Sequence, residues 1–308
     1  MSGAGSFRDP KVLIPFLLVT LIWSSTWIVI KDQIGTVPPP WSVAYRFTIA
    51  AAAMFVIAAL TGASLAIGRD GHRLAVLLGA AQFAFNFNLV YAAEHYVTSG
   101  LVAVVFALLM VPNALFARLF FDQPIGGRFL AGSAVAVAGV ALLFVQEARA
   151  SAVSTAATLT GVGLTLLAVL CASAANVMQL SEGAKRRPLP ALLAWGMLYG
   201  ALIDAALAFG LHGAPVAETR IGYWAGLLYL GLIGSALTFP LYFDVIRKVG
   251  PGRAAYSGVL IPVVAMAIST VAEGYRWSLL AAAGGILAIL GLVIALRAGR
   301  PAAKISEA

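Results

Sequence analysis

Between Lys11 and Lys31 the chain reads V-L-I-P-F-L-L-V-T-L-I-W-S-S-T-W-I-V-I (residues 12–30), nineteen residues without a charge. The hydrocarbon core of a bilayer asks for about 17–25 mainly apolar residues per helical crossing, so this run is long enough to span. No small-residue cleavage pattern follows before Lys31, and the run is expected to stay as a first, uncleaved span. Nine further runs of the same kind follow: Trp41–Leu60, Leu74–Ala93, Leu101–Ala117, Phe129–Val145, Leu159–Leu180, Leu189–Leu211, Trp224–Val245, Ala254–Val271 and Leu279–Leu296. They are continuously apolar, whereas the strands of a membrane barrel alternate, so helices are expected throughout.

The composition supports this reading. Of 308 residues, 61% are hydrophobic and 10% charged; soluble globular chains have roughly 45–50% and about 25%. Twelve acids and twenty bases cannot cover a soluble surface of this size. A soluble enzyme, a disordered chain and a disulfide scaffold are excluded. Cys171 is the only cysteine.

The net charge of +8 does not point to nucleic acid, because the bases lie singly or in threes between apolar runs. Arg8, Lys11, Arg69, Arg73, Arg118, Arg128, Lys185, Arg186, Arg187, Arg247, Lys248, Arg253, Arg297, Arg300 and Lys304 fall on one side of a ten-span chain. Only Lys31, Arg149, Arg220 and Arg276 fall on the other. Fifteen against four predicts that both termini are cytoplasmic, in a multi-pass protein of the plasma (inner) membrane.

The two halves look alike at an offset near 150. Pro40 matches Pro190, and Pro112 matches Pro262. Gly132 and Gly139 match Gly284 and Gly291 after a two-residue insertion. The expected organisation is a first five-helix repeat at 1–146, an external connector at 147–158, and a second repeat with a cytoplasmic tail at 159–308. Five spans per repeat force the halves into opposite orientations, the sequence mark of secondary transporters. Pro112 and Pro262 should kink their helices where a gating motion could hinge. The recurring glycines are expected to close the bundle, and a monomer is expected rather than a dimer.

Ile22-Trp23-Ser24-Ser25-Thr26-Trp27 resembles an I-W-G-S-x-F signature, with Ser24 where Gly is usual. Tyr45-Arg46-Phe47 resembles an R-F element. Pro112 through Phe121-Asp122-Gln123 resembles P-x-x-x-x-L-x-x-x-x-F-x-G-E, with Asp-Gln in place of Gly-Glu. These are motifs of the drug/metabolite transporter (DMT) superfamily, EamA family, and the resemblance covers nearly the whole chain. Within it the chain is most similar to YddG-type exporters of aromatic and other amino acids. The resemblance implies an all-α polytopic membrane fold of ten transmembrane helices in two inverted five-helix repeats, and export of a small metabolite.

No G-x-x-x-x-G-K-[ST] cradle for ATP is present. His72, His95 and His212 lie in loops without metal-ligand spacing, so neither metal nor cofactor is expected. The serines inside the spans have no buried His or Lys as base, which disfavours an intramembrane enzyme. Polar and aromatic side chains deep in the spans are the substrate-binding candidates: Trp23, Ser24, Gln82, Asn86, Tyr91, Trp195, Tyr199, Thr238 and Tyr242. Gln82 and Asn86 are four apart and share a helical face. Such a set suits a zwitterionic or aromatic solute, so an amino acid-like substrate leads over a drug, a purine or another metabolite. The intramembrane charges Arg46 and Asp204 fall at similar depth and are expected to pair. No carboxylate stands at midplane, so export down the substrate gradient fits better than a proton relay.

In a variant lacking Cys171, single cysteines at Ser2 and Ser151 should react with a membrane-impermeant thiol reagent from opposite sides. Labelling of both from the same side would end the ten-span model.

Overall fold

The computed structural model describes residues 9–150, 154–249 and 257–297. Ser2, Ser151, Tyr256 and the bases Arg8, Arg253, Arg300 and Lys304 lie outside them. Among the described residues every regular element is helical: α1 (Pro10–Gln33), α2 (Pro39–Leu60), α3 (Gly68–Ala93), α4 (Ser99–Phe121), α5 (Gly127–Ala150), α6 (Thr155–Met178), α7 (Leu189–His212), α8 (221–249), α9 (Ser257–Ala272) and α10 (Leu279–Arg297), with one helical turn, Glu182–Lys185, in the connector between α6 and α7. Eight have the length and apolarity to cross a bilayer; the last two supply the shorter apolar helices Leu260–Ala272 and Leu279–Ala295. The chain is an all-α polytopic membrane protein.

Local chemistry sets the helix starts. Asp9 caps α1 by accepting from Lys11 N at 2.9 Å, and Ser154 caps α6 by accepting from Ala157 N. The matched prolines Pro40 and Pro190 sit in the first turns of α2 and α7. There a missing N–H costs nothing, because first-turn amides have no intrahelical partner. α4 ends at Asp122 in the left-handed region (φ 51°), where the resembled motif has Gly. Asp is among the few side chains that enter this region readily.

The packing follows the repeat. Each of α2, α4 and α5 lies against its mate, α7, α9 and α10. α3 and α4 pack on α6, while their mates α8 and α9 pack on α1. This exchange is what a two-fold axis in the membrane plane produces. Side chains gain little by leaving hydrocarbon for other side chains, so close backbone approach and dispersion must hold the helices together. Gly132 and Gly139 of α5 meet Gly291 and Gly284 of α10, and a Cβ on either would collide with the Ala295 or Ala288 main chain.

Two features were not foreseen. α3 carries a π-helical stretch, Gly79–Phe85, and α8 carries another, Tyr229–Leu237. They begin 150 residues apart, the offset of the matched prolines. A Cβ on Gly79 would lie 2.5 Å from Gly196 O, and one on Gly231 3.1 Å from Arg46 O. Positions 46 and 196 are themselves repeat mates, so each π stretch is pressed onto the same point of the opposite repeat.

The two matched prolines sit differently in their helices. α4 breaks at Leu108–Leu109, between Ser99–Ala107 and Met110–Phe121. Pro112 has no N–H for Leu108 O, and its ring crowds that carbonyl; Val111 N takes the carbonyl instead at 2.8 Å. α9 runs through Pro262 without interruption.

Gly139→Val should lower the thermal midpoint of the detergent-solubilised protein and reduce its monodisperse yield, since overpacking of a tight contact costs about 1–3 kcal/mol or more. Gly163→Ala, at an open helical position, should leave both unchanged or better. Fluorescence-detected melting of the two variants checks this; equal losses would refute the close-packed seam.

Candidate functional site

Between α1, α3, α4, α6, α8 and α9 the bundle leaves a cavity of about 150 Å³. Trp23, Thr26, Trp27 and Ile30 reach it from one face of α1, and Gln82, Asn86 and Phe87 from α3. Asn113 follows the break in α4, Asn176 ends α6, and Tyr242 comes from α8. At one end the lining is fully buried, with Ile30 and Val90 each 1% exposed. Asn113, Asn176 and Tyr242, toward the other, are partly exposed. That end carries Lys185, Arg186 and Arg187 in its connector and is called the basic end below.

Arg46 is the charged group among the described residues of this cavity. Its side chain is buried (1% exposed), and its Nε donates to Ser235 Oγ at 3.1 Å. Ser235 sits in the second π stretch, and its own proton goes to Leu230 O at 2.8 Å, leaving a lone pair for the arginine. The guanidinium lies 4.2 Å from the centroid of Phe87, an attractive cation–π distance. Arg46 Nη1 makes no hydrogen bond, and no described carboxylate forms an ion pair with it.

Other lining atoms are left open too. The donor Trp27 Nε1 and the acceptors Asn86 Oδ1 and Asn113 Oδ1 are buried and unbonded. Buried polar groups are almost always satisfied, and a cluster of open ones around a cavity marks where a ligand's groups would go. Trp23 supplies an apolar wall: its indole N–H donates to Gly234 O at 3.2 Å, and its ring lies 4.8 Å from Tyr242 and 5.5 Å from Phe239.

Of the substrate-binding candidates, Trp23, Gln82, Asn86 and Tyr242 meet in this cavity, with Arg46 and Pro262. The others stand elsewhere. Ser24 donates to Thr20 O at 2.6 Å and to Ile261 O at 3.4 Å, tying α1 to α9. Thr238 donates to Ile233 O inside the π stretch. Tyr91 is fully buried beside Arg46 and interacts with its guanidinium both electrostatically and by side-chain hydrogen bonding, outside the cavity lining. Pro112 acts through the break it causes. Trp195 and Tyr199 form a separate cluster near the basic end: Trp195 Nε1 donates to Leu65 O at 3.0 Å, and Tyr199 Oη lies 2.9 Å from His72 Nδ1. Gly196 and Gly200 turn inward against Gly79 and Phe83, which rotates the 195/199 row away from the cavity. α7 contributes none of this cavity's described lining, whereas α2, α4, α6 and α9 do.

The expected Arg46–Asp204 pair does not form. Asp204 accepts from Asn88 Nδ2 at 2.6 Å, away from the cavity. Matched depth did not mean matched direction. Asn113 and Asn176 were missed, although each is an amide in an apolar run, the signal that singled out Asn86.

Comparison with known proteins agrees with this architecture. The EamA-like transporter family model matches residues 11–145 and 159–297, and the chain belongs to that family. It is 24% identical to Protein PagO of Salmonella typhimurium over 292 residues, 94% of this chain and 92% of PagO. It is 26% identical to a probable amino-acid metabolite efflux pump of the same organism over 287 residues, 90% of this chain and 92% of the pump. A solved crystal structure superposes with a TM-score of 0.69 at 20% identity, covering 92% of this chain and 96% of the other, which shows a shared fold. The family is one of EamA-like transporters, and the second Salmonella relative is named as an efflux pump.

Because Arg46 and Asp204 have separate partners, the stability effects of Arg46→Gln and Asp204→Asn should add to within about 0.5 kcal/mol in the double variant. A coupling clearly larger than that in thermal or denaturant unfolding would restore the direct pair.

Proposed function

We propose that the protein exports amino acids, aromatic and other neutral ones, by alternating access and down the substrate gradient. The observation that carries this reading is a buried, unpaired arginine in an aromatic cavity. A cation held in a low-dielectric site is costly, and a substrate carboxylate offsets that cost where no described carboxylate does. Arg46 Nη1 and Trp27 Nε1 are the free donors for that carboxylate, and the open amide oxygens of Asn86 and Asn113 suit an ammonium. The rings of Trp23, Phe239 and Tyr242 suit an apolar or aromatic side chain. The printed name of the Salmonella pump points the same way. A site for lipophilic cations is less well supported, because Asp204 stands outside the cavity. A phosphorylated substrate would call for several cations, where Arg46 is the one cation of the described lining.

The proposed organisation is two five-helix repeats, 1–146 and 159–308, joined by an external connector at 147–158. The repeats rock about the cavity with the α4 break as a hinge, and both termini face the cytoplasm.

The test is a substrate panel in proteoliposomes, with and without an imposed proton gradient. Amino acid flux supports the reading; flux of drugs or purines alone, or chemical products without flux, overturns it. Losing one charge-assisted hydrogen-bonding partner costs about 1.5–3 kcal/mol. Arg46→Gln should therefore weaken amino acid transport about 10–100-fold in KM while the protein stays folded. An unchanged KM would remove Arg46 from the site.

A further inference from the structure

The end of the bundle opposite the basic end is closed by side chains from both repeats. Glu94 follows α3 and is fully buried, and neither carboxylate oxygen makes a hydrogen bond. Lys31, at the end of α1, donates to the main-chain oxygen of Glu94 and forms no ion pair with its carboxylate. From the second repeat, Glu273 after α9 accepts from Ser99 N at 3.3 Å and from the Ser99 hydroxyl, capping the start of α4, and it also accepts from Ser269 Oγ. Ser99, Val97 and Leu101 are buried around this junction (2–3% exposed). Four helices, α1, α3, α4 and α9, are joined here, beyond the buried end of the cavity.

An ionised carboxylate with no donor and no ion-pair partner in a dry junction is strongly disfavoured; a protonated one is tolerated. The charged and titratable groups acting on Glu94 are Lys31 of α1, Tyr91 of α3 and Glu273 after α9, while His95, next in its connector, is exposed and interacts electrostatically with Lys31. The nearby charges of α1 and of the loop after α9, Asp32 and Arg276, are exposed, and Asp32 is engaged with Arg220. Tyr91, one turn before Glu94, interacts electrostatically with both Glu94 and Arg46, and so stands between this junction and the cavity.

We propose that Glu94 is a proton-binding site that latches this end of the transporter: the closed state holds the proton on the Glu94 carboxyl, and opening releases it. The proton leaves to the compartment at the same end and returns from it, so the latch responds to that compartment's pH without driving transport. Burial supports the assignment by pushing the Glu94 carboxyl well above the usual carboxylate range; Lys31 offsets part of this, and Glu273 adds to it. The sign follows by linkage: the closed state binds the proton more tightly, so low pH favours closure and rising pH favours opening.

The experiment needs no substrate, so its failure is distinguishable from failure of the amino acid reading. Spin labels on Gly35→Cys and Arg276→Cys, in a Cys171→Ala background, span the junction, and their separation is read by double electron–electron resonance in nanodiscs across pH 5–9. The wild-type background should shift from a short to a longer distance as pH rises. Glu94→Gln, which keeps the neutral shape, should hold the short distance at every pH, whereas His95→Gln should keep the transition. A distance independent of pH, or a transition in Glu94→Gln at the same pH as wild type, overturns the proposal. If His95→Gln alone abolished the transition, histidine would be the titrating group and the Glu94 assignment would fall.

Discussion

Hydrocarbon offers no hydrogen bonds, so every polar group inside this bundle is answered by the protein or left for a ligand. Most are answered locally. Thr20, Thr48, Thr165 and Thr270 return their hydroxyls to carbonyls four residues back, and Ser235 and Thr238 do so five back within a π stretch. Asp204 and Asn88 answer each other. Among the exceptions, Arg46 Nη1, Trp27 Nε1, Asn86 Oδ1 and Asn113 Oδ1 meet around one cavity, while others, both carboxylate oxygens of Glu94 included, stand outside it. That imbalance gives a scaffold of small and aliphatic residues a place to bind something polar.

The π stretches explain how the site is built by symmetry without being symmetric. Each adds a local widening to its helix at the point where it meets position 46 or 196 of the other repeat. In the first repeat position 46 is arginine, and its side chain reaches the cavity; in the second, position 196 is glycine, and α3 closes onto it. One duplicated contact became the cation site, the other a backbone-to-backbone seam. The α4 break is a similar divergence, since Pro112 interrupts its helix and its mate Pro262 does not.

Much of the fold was legible in the sequence because span length, loop charge and repeat offset are one-dimensional signals. The helices extend beyond the apolar runs, as α3 does by six residues before Leu74, since a helix continues past the hydrocarbon edge while its pattern of apolar residues does not. The site was legible only in part. Depth along a helix can be counted, but direction around the bundle cannot. Trp195 and Tyr199 therefore read like Trp23 and Tyr242 until Gly196 and Gly200 fix which side of α7 faces inward. Arg46 and Asp204 matched in depth and diverged in direction for the same reason. The π stretches left no trace, because a single inserted residue does not alter a run that is apolar all round.

The central claim is that the guanidinium of Arg46 receives a substrate carboxylate, and the most direct measurement is their separation. Rotational-echo solid-state NMR on the membrane-embedded protein, with ¹⁵N-labelled arginine side chains and an amino acid ¹³C-labelled at its carboxyl, reports it. The account predicts a carboxyl carbon within about 4 Å of a guanidinium nitrogen, as expected for a charge-assisted hydrogen bond, and loss of that dephasing in Arg46→Gln. Bound amino acid with no dephasing in the wild type, or dephasing that survives Arg46→Gln, would contradict it.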